Sequence, residues 1–156
     1  MIKIAKLTDY AVVLLARLSR LPQGTSLSAG SLAAQTGIPE PTVAKVLKKL
    51  ARAKLVVSLR GVAGGYQLLR PAAEMTICEV VEAMDGPIAV ASCVDAASLA
   101  CGSAGQCPSR GRWTPVNQAI RSALMAVTVA DMAYGAPARP RAIHIENRGA
   151  IDARVD

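Results

Sequence analysis

Several features that mark enzymes and membrane proteins are missing from this sequence. Its 156 residues include a single histidine, and none of the four cysteines forms a C-x-x-C pair. No glycine-rich nucleotide loop follows a strand-like segment, so neither a thiol oxidoreductase nor a nucleotide-dependent enzyme is predicted. No apolar run is long enough to span a bilayer, because the first one is interrupted by Arg17 and Arg20. We therefore expect a cytoplasmic protein that is not an enzyme and has neither a membrane partner nor a small-molecule substrate.

Acidic residues are scarce in the first half of the chain. Residues 1–75 hold 11 lysines and arginines against three acidic residues, and 11 minus 3 gives +8. The remaining residues hold seven basic against eight acidic side chains, which gives −1 and a total of +7. A basic N-terminal half predicts a polyanionic partner, and nucleic acid is the commonest one. A basic surface that merely keeps the protein soluble fits the charge equally well.

Helical patterns fill the first 52 residues. Apolar spacing predicts a first helix with Thr8 as its cap and a stop at residues 22–24, and then a short helix with Ser28 as N-cap and Gly37 as its end. A third helix is predicted to begin at Pro41. Its two faces differ: Val43, Val46, Leu47 and Leu50 are apolar, whereas Thr42, Lys45, Lys48, Lys49 and Arg52 are polar. This pattern is typical of a helix-turn-helix whose second helix enters the major groove, although an ordinary helix with a solvated charged face looks similar.

A β-hairpin is predicted directly after the basic helix. Residues 55–59 and 66–69 have strand composition and flank a glycine-rich turn. A hairpin in this position predicts a winged helix-turn-helix. Arg60, beside Gly64 and Gly65, is placed to bring a guanidinium and a closely approaching backbone to a minor groove. Turn geometry alone is a second reason for these glycines.

Three of the four cysteines lie in one segment of small residues without helical or strand periodicity. They are Cys93, Cys101 and Cys107, separated by seven and then five residues. A flexible loop lets three thiolates converge on one inorganic centre, which predicts an iron-sulfur or a zinc site. The intervals are not the paired knuckles of most structural zinc modules. Three small apolar side chains, or a disulfide with one spare cysteine, are the alternatives, and a reducing compartment disfavours the disulfide.

Helices are predicted on both sides of this cysteine loop. Thr76 and Glu79 form a capping-box pattern before a helix that runs to about Asp85, with Cys78 in its core face. Thr114 begins a later helix. Its heptad-like apolar positions, which suit packing against a partner helix or within the chain, are Val116, Ile120, Ala123 and Val127.

The chain thus divides into three predicted regions. Residues 1–75 form a winged helix-turn-helix DNA-binding domain. Residues 76–133 contribute a helix, the cysteine loop and a dimerisation helix, with a new turn starting at Thr128 and Asp131. Residues 134–156 have little apolar content and are expected to be a flexible tail.

With the wing and the cysteine loop both present, the chain resembles the winged-helix iron-sulfur regulator family that includes IscR, NsrR and RirA. The likeness covers residues 1 to about 133. Besides the three cysteines, the segments that carry it are 7–11, 43–55 and 59–66. Residues 86–89 and 107–113 look most similar to the branch that regulates the SUF iron-sulfur assembly operon.

The resemblance implies a mainly α-helical fold with a small β-hairpin wing and a long dimerisation helix. It also implies a homodimeric transcriptional repressor whose recognition helices and wings contact half-sites of a double-stranded operator, with DNA affinity or site choice set by the cluster state. By this likeness Thr42, Lys45, Lys48 and Arg60 are the DNA-reading residues. Which of them contact bases and which contact phosphates stays open.

The fourth cluster ligand departs from the IscR pattern. IscR has a ligand histidine three residues after its third cysteine, and this position is Arg110 here, whose protonated guanidinium cannot coordinate iron. Asp9 matches the position at which NsrR supplies a carboxylate from the opposite subunit, although an acid in the first turn of a helix also suits the helix dipole. His144 is a weak candidate. Three thiolates and Asp9 favour a [4Fe-4S] cluster, and a [2Fe-2S] cluster stays open. The alternative function is a DNA-binding protein that zinc stabilises and that does not sense a cluster.

Overall fold

Helices dominate the fold, and one two-stranded hairpin completes it. The computed structural model describes residues 3–22, 24–61, 64–94, 106–109 and 112–135. In chain order the elements are α1 (Lys6–Ser19), α2 (Ala29–Thr36), α3 (Glu40–Arg52), β1 (Val56–Leu59), β2 (Gly65–Leu68), a 3-10 turn (Ala72–Glu74), α4 (Ile77–Asp85), α5 (Thr114–Met125) and α6 (Val129–Tyr134). The predicted mainly helical fold with a hairpin wing is confirmed. Within the described ranges, no helix is both long and apolar enough to cross a membrane.

The hydrophobic core is built around α1, which packs against α2, α3, α4 and α6. Its apolar stripe is fully buried at Ala11, Leu14 and Leu15. The four apolar residues predicted for α3 are fully buried as well, so the helical period of the sequence identified the inner face of that helix correctly. Val80 of α4 and Val129 of α6 belong to the same buried cluster. The helix-turn-helix and the helices that follow it therefore share one core.

Thr8 is not the cap that the sequence predicted. The first turn of α1 closes earlier, because the N–H groups of Thr8 and Asp9 both donate to the carbonyl of Ala5, which is the N-cap and forms no side-chain cap bond. Thr8 is completely buried, and its hydroxyl donates to Oδ2 of Asp85 at 2.7 Å. A residue assigned to the solvent-facing start of α1 instead links α1 to the end of α4.

The other predicted limits of the helix-turn-helix and the wing are close to those observed. The Ser28 hydroxyl accepts the N–H of Ser31, and Gly37 ends α2 in the left-handed conformation. α3 begins at Glu40, one residue before Pro41. The strands pair antiparallel, and a further bridge adds residue 27 to the hairpin: the Leu27 N–H donates to the Tyr66 carbonyl at 3.0 Å and the Tyr66 N–H donates back at 2.8 Å.

Two capping boxes start α4 and α6 side by side. Thr76 and Glu79 form the one predicted for α4, and Thr128 forms another with Asp131 at the start of α6. The backbones of the two starts are bridged, since the Ile77 N–H donates to the Val127 carbonyl at 2.9 Å and the Val129 N–H donates to the Met75 carbonyl at 2.8 Å. The start of α4 is therefore fixed to the start of α6.

Glu79 makes the stability of this cap depend on pH. Its burial alone would raise the pKa of the carboxyl group, but hydrogen bonds from the Thr76 N–H and hydroxyl and the ion pair with Arg70 outweigh this and lower the pKa. Because the unfolded chain then binds the proton more tightly, this stabilisation is present above the ordinary carboxyl pKa and is lost as pH falls through the lowered value. We expect Glu79→Gln to reduce the free energy of unfolding at neutral pH, by a difference that shrinks as acidification takes the pH through the lowered pKa. Urea unfolding of both proteins across this range measures the effect, and a difference independent of pH would contradict it.

The helix after the cysteine loop is shorter than the long helix that the sequence predicted. α5 spans 12 residues and ends at Met125, and none of its residues is buried. Val127 lies beyond the helix and packs against the core, so the predicted seam is wrong at this position. Val116 and Ala123 are exposed and Ile120 is half-buried. The predicted flexible tail lies outside the described residues from position 136 onward.

Candidate nucleic-acid interface and cysteine loop

The outward face of α3 carries the predicted DNA-reading residues. Lys45 and Lys48 are exposed, and Thr42 beside them is half-buried. Within the described residues, neither lysine is held by a hydrogen bond or an ion pair. The second helix of the helix-turn-helix therefore presents two free ammonium groups on the side opposite its buried face.

Lys49 does not share this orientation. It is half-buried, and its Nζ donates to the main-chain carbonyl of Met84, in the last turn of α4, at 2.6 Å. The sequence assigned Lys49 to the polar face of α3, and the structure corrects this assignment: the long side chain follows the apolar boundary of the helix and ends on a neighbouring element.

The wing places Arg60 at one wall of a polar groove. Arg60 is exposed at the end of β1. A cavity of about 770 Å³ separates the wing from the start of α2, and its lining includes Arg60, Thr25, Ser28, Ser31 and Gly64. A guanidinium and several hydroxyl groups thus line the same opening.

Gly64 and Gly65 are both required by packing within the chain. A Cβ atom on Gly64 would lie 2.6 Å from the Leu59 carbonyl oxygen and 2.7 Å from that of Gly61. A Cβ atom on Gly65 would lie 2.6 Å from the carbonyl carbon and oxygen of Leu27. The predicted approach of these glycines to DNA stays a prediction, and the fold supplies an independent reason for each.

The cysteine loop is described only at its ends. Cys93 is exposed and Cys107 is half-buried, whereas Cys101, Arg110 and His144 lie outside the described residues. Within the described ranges, no three histidine, cysteine or acidic side chains come together as a metal site. Cys78 is buried in α4, as the sequence predicted, and burial, assisted by the charge of Glu82, raises the pKa of its thiol. A protonated thiol in the core is a poor metal ligand.

Asn117 fastens the entrance of the loop to α5. Its side-chain oxygen accepts the N–H of Val90 at 3.0 Å, and its side-chain nitrogen donates to the carbonyl of Ile88 at 3.0 Å. Cys93 therefore follows a segment that is fixed to the beginning of α5, and Cys107 lies shortly before the same helix. Cys93 comes three residues after Val90, and Cys107 comes seven residues before Thr114 in the chain. A loop with cysteines towards both ends suits a centre held by several thiolates. Sequence reasoning missed Asn117, because a single asparagine in a helix has no distinctive pattern.

Asp9 is exposed in the first turn of α1. A carboxylate is stabilised there by the helix dipole whether or not it binds a metal. Its chain neighbour Thr8 is bonded to Asp85, after which the chain turns at Gly86 towards the cysteine loop. The first turn of α1 is thus attached to the residue that precedes the loop segment.

Comparison with known families decides the class of protein. The family model described as "Rrf2: Iron-dependent Transcriptional regulator" matches residues 4–135. The chain belongs to the Rrf2 family. Rrf2 proteins are transcriptional regulators, so the prediction that the chain is not an enzyme is confirmed. Winged-helix regulators of this family bind DNA and are typically dimers.

Individual Rrf2-like proteins cover most of the chain. A protein of Mycobacterium tuberculosis (strain ATCC 25618 / H37Rv), named as a candidate HTH-type transcriptional regulator, Rv1287, is 34% identical over 128 residues, which are 82% of this chain and 79% of the relative. Protein aau3 of Rhizobium meliloti (strain 1021) is 30% identical in a 142-residue alignment that covers 86% of this chain and 87% of the relative.

Solved structures show the same winged-helix architecture. CymR, the global cysteine regulator of B. subtilis, aligns with a TM-score of 0.66 and 25% identity, over 85% of this chain and 97% of CymR. IscR of T. potens aligns with a TM-score of 0.63 and 24% identity, over 84% of this chain and 85% of IscR. The likeness to IscR shows the fold alone.

Proposed function

We propose that this Rrf2 protein is a homodimeric transcriptional repressor that senses iron-sulfur cluster status, and through it iron supply or oxidative or nitrosative stress. We further propose that it controls SUF iron-sulfur assembly genes, as the sequence resemblance implies. The observation that carries the sensing proposal is the position of the two described thiols: the loop segment before Cys93 is bonded to Asn117, and Cys107 lies just before the same helix. One end of the loop follows a segment bonded to α5 and its other end leads into α5, which supports a shared metal centre.

Four residues are proposed as ligands. Cys93, Cys101 and Cys107 would provide thiolates, which are the usual ligands of iron-sulfur clusters, and Asp9 of the partner subunit would provide a carboxylate. A [4Fe-4S] cluster is favoured over [2Fe-2S], because three thiolates and one weaker oxygen ligand suit a cubane with one labile iron. Bound in this way, the group supplies visible absorbance and a sensitivity to oxidants and to iron supply.

The remaining residues of the proposal act on DNA. Lys45 and Lys48 are exposed without partners in the described residues, and they would neutralise phosphates as α3 enters the major groove. Thr42 lies on the same face, and Arg60 on the wing suits a minor groove. Gly64 and Gly65 allow the wing backbone to approach the duplex closely.

The exposed apolar residues of α5 support the dimer. Val116 is 43% exposed and Met125 is 52% exposed, and Trp113 just before the helix is 44% exposed. A partner copy that covers these side chains would remove apolar surface from water, which favours association. Two α3 helices related by a two-fold axis would then read two operator half-sites.

The proposed switch is a shift between two dimer populations. Release of the three cysteines would free the loop and the attachment between it and Asp9 of the partner subunit. The two winged-helix units could then move relative to each other, away from the spacing of the half-sites.

Anaerobic purification tests this function directly. Iron and sulfide are counted per chain, the visible spectrum is recorded, and binding is measured to a duplex selected from a random library before and after controlled oxidation. We expect a brown protein whose affinity or choice of duplex changes when the colour is lost. A colourless protein that contains zinc would replace the proposal by the zinc-stabilised alternative, and unchanged DNA binding after loss of the colour would contradict the sensing step.

A further inference from the structure

The corner at the end of α4 lies between the DNA-reading helix and the cysteine loop. Two adjacent residues there are held from different elements: the Met84 carbonyl accepts the Lys49 ammonium of α3, and the Asp85 carboxylate accepts the Thr8 hydroxyl of α1. After Asp85 the chain turns at Gly86, whose φ is +91°, and runs on to the Asn117-bound segment before Cys93.

The contact of Lys49 is chemically well suited to this corner. The last carbonyls of a helix have no partner within the helix, and they carry the negative end of its dipole. A carboxylate at Asp85 adds negative charge to the same end. An ammonium that donates to the Met84 carbonyl, at 2.6 Å, satisfies one of these acceptors and compensates the charge. A hydrogen bond from a charged donor is stronger than one between neutral groups.

Lys48 and Lys49 differ in direction although they are neighbours in the sequence. Lys48 is exposed and has no partner in the described residues, whereas Lys49 is half-buried and attached to α4. On α3, Lys48 therefore faces solvent, whereas Lys49 contacts a neighbouring helix of the protein. Of these two lysines, only Lys49 links α3 to the α4 corner.

We infer that Lys49 is the positioning residue through which the state of the cysteine loop reaches the DNA-reading helix. This inference rests on the proposed cluster-sensing function and adds the contact that transmits it. With the loop held, the corner fixes the angle of α3 through the bond between Lys49 and Met84. With the loop released, the corner relaxes and α3 loses this restraint.

Substitutions of Lys49 test whether this residue is needed for the response to the cluster and not for DNA binding itself. The measured quantity is the ratio of duplex affinities of the cluster-loaded and cluster-stripped protein, for a duplex selected from a random library. Lys49→Met keeps the length of the side chain and removes the donor. We expect the ratio of the two affinities to come closer to one, by a factor of about five or more, while the iron content per chain stays unchanged. Lys49→Arg retains a donor and is expected to keep most of the wild-type ratio.

Lys48→Met is the matched control. It removes one charge from the adjacent position, so affinity should fall in both states and the dependence of affinity on salt should weaken, while the ratio stays as in the wild type. A purely structural role of Lys49 would lower the melting temperature without changing the ratio. A wild-type ratio in Lys49→Met, or an equal loss of the ratio in Lys49→Arg, would overturn the inference.

Hydrogen exchange on the wild-type protein provides a test that does not depend on folding of a variant. Loss of the cluster should increase amide exchange in the last turns of α4 and α3 together, and unchanged exchange in α3 would overturn the inference. If the wild-type protein binds the duplex equally in both states, the proposed function itself is wrong and the inference falls with it. If the wild-type protein switches and Lys49→Met switches equally, only the inference is wrong.

Discussion

Gly65→Ala is expected to lower the free energy of unfolding by about 3 kcal/mol. The added Cβ atom would lie 2.6 Å from the carbonyl carbon and oxygen of Leu27, and both are backbone atoms that cannot rotate away. Relief of the clash requires the strand and residue 27 to separate, which weakens the two hydrogen bonds between Leu27 and Tyr66. The wing would then lose its attachment to the segment before α2, so DNA affinity should fall as well.

Thermal unfolding followed by circular dichroism measures this effect, and the melting temperature should drop by on the order of 10 °C. Gly30→Ala is the matched control, because Gly30 lies in α2 and a Cβ atom there meets only the flexible Glu40 side chain, at 3.3 Å. Alanine has the higher helix propensity, so this variant should be at least as stable as the wild type. Equal stability of the two variants would show that the wing does not pack against residue 27 as described.

Replacement of any one of Cys93, Cys101 and Cys107 by alanine is expected to abolish the visible absorbance of anaerobically prepared protein. In the proposed site three thiolates and one weak ligand would leave no reserve, so the loss of one thiolate would leave two protein sulfurs, too few to retain a cluster. Cys78→Ala should keep the colour, because this thiol is buried in α4 and its raised pKa disfavours the thiolate form.

Absorbance spectra with iron and sulfide counted per chain measure this prediction, and circular dichroism verifies that each variant is folded. Cys78→Ala also measures the cost of a small cavity, which we expect to be about 1 kcal/mol. Colour retained in the three loop variants would remove these residues from the proposed ligand set. Colour lost only in Cys78→Ala would place the site in α4.

Local patterns predicted the fold well where local forces determine it. The helical period identified the buried face of α3, and Ser28, Gly37 and the Thr76 capping box marked the ends of helices, because each acts on backbone groups within a few residues. The family could be recognised from the sequence for a similar reason, because the wing and the group of three cysteines each lie within one short stretch of the chain.

Contacts between distant segments could not be predicted in this way. The Thr8 hydroxyl was assigned to a cap, but its partner Asp85 is far along the chain. Lys49 follows the same charge pattern as Lys48, and only the position of α4 turns it inward. Asn117 bonds two backbone groups of a segment that is separated from it by the whole cysteine loop. In each case tertiary packing selects the partner, and no period or motif encodes that choice.

The bridge between Thr76 and Thr128 restricts how far any rearrangement within the cysteine region can spread. α4 and α6 both begin at this bridge, so the chain segment from Thr76 to Thr128 starts and ends at the same place in the fold. Two backbone hydrogen bonds at the bridge hold the chain before α4 beside the chain before α6, so a movement of the loop changes their separation little. In the proposed function, a movement that begins in the cysteine loop would therefore pass to α1 and α3 through the bonds at the end of α4, or through α5 to the partner subunit.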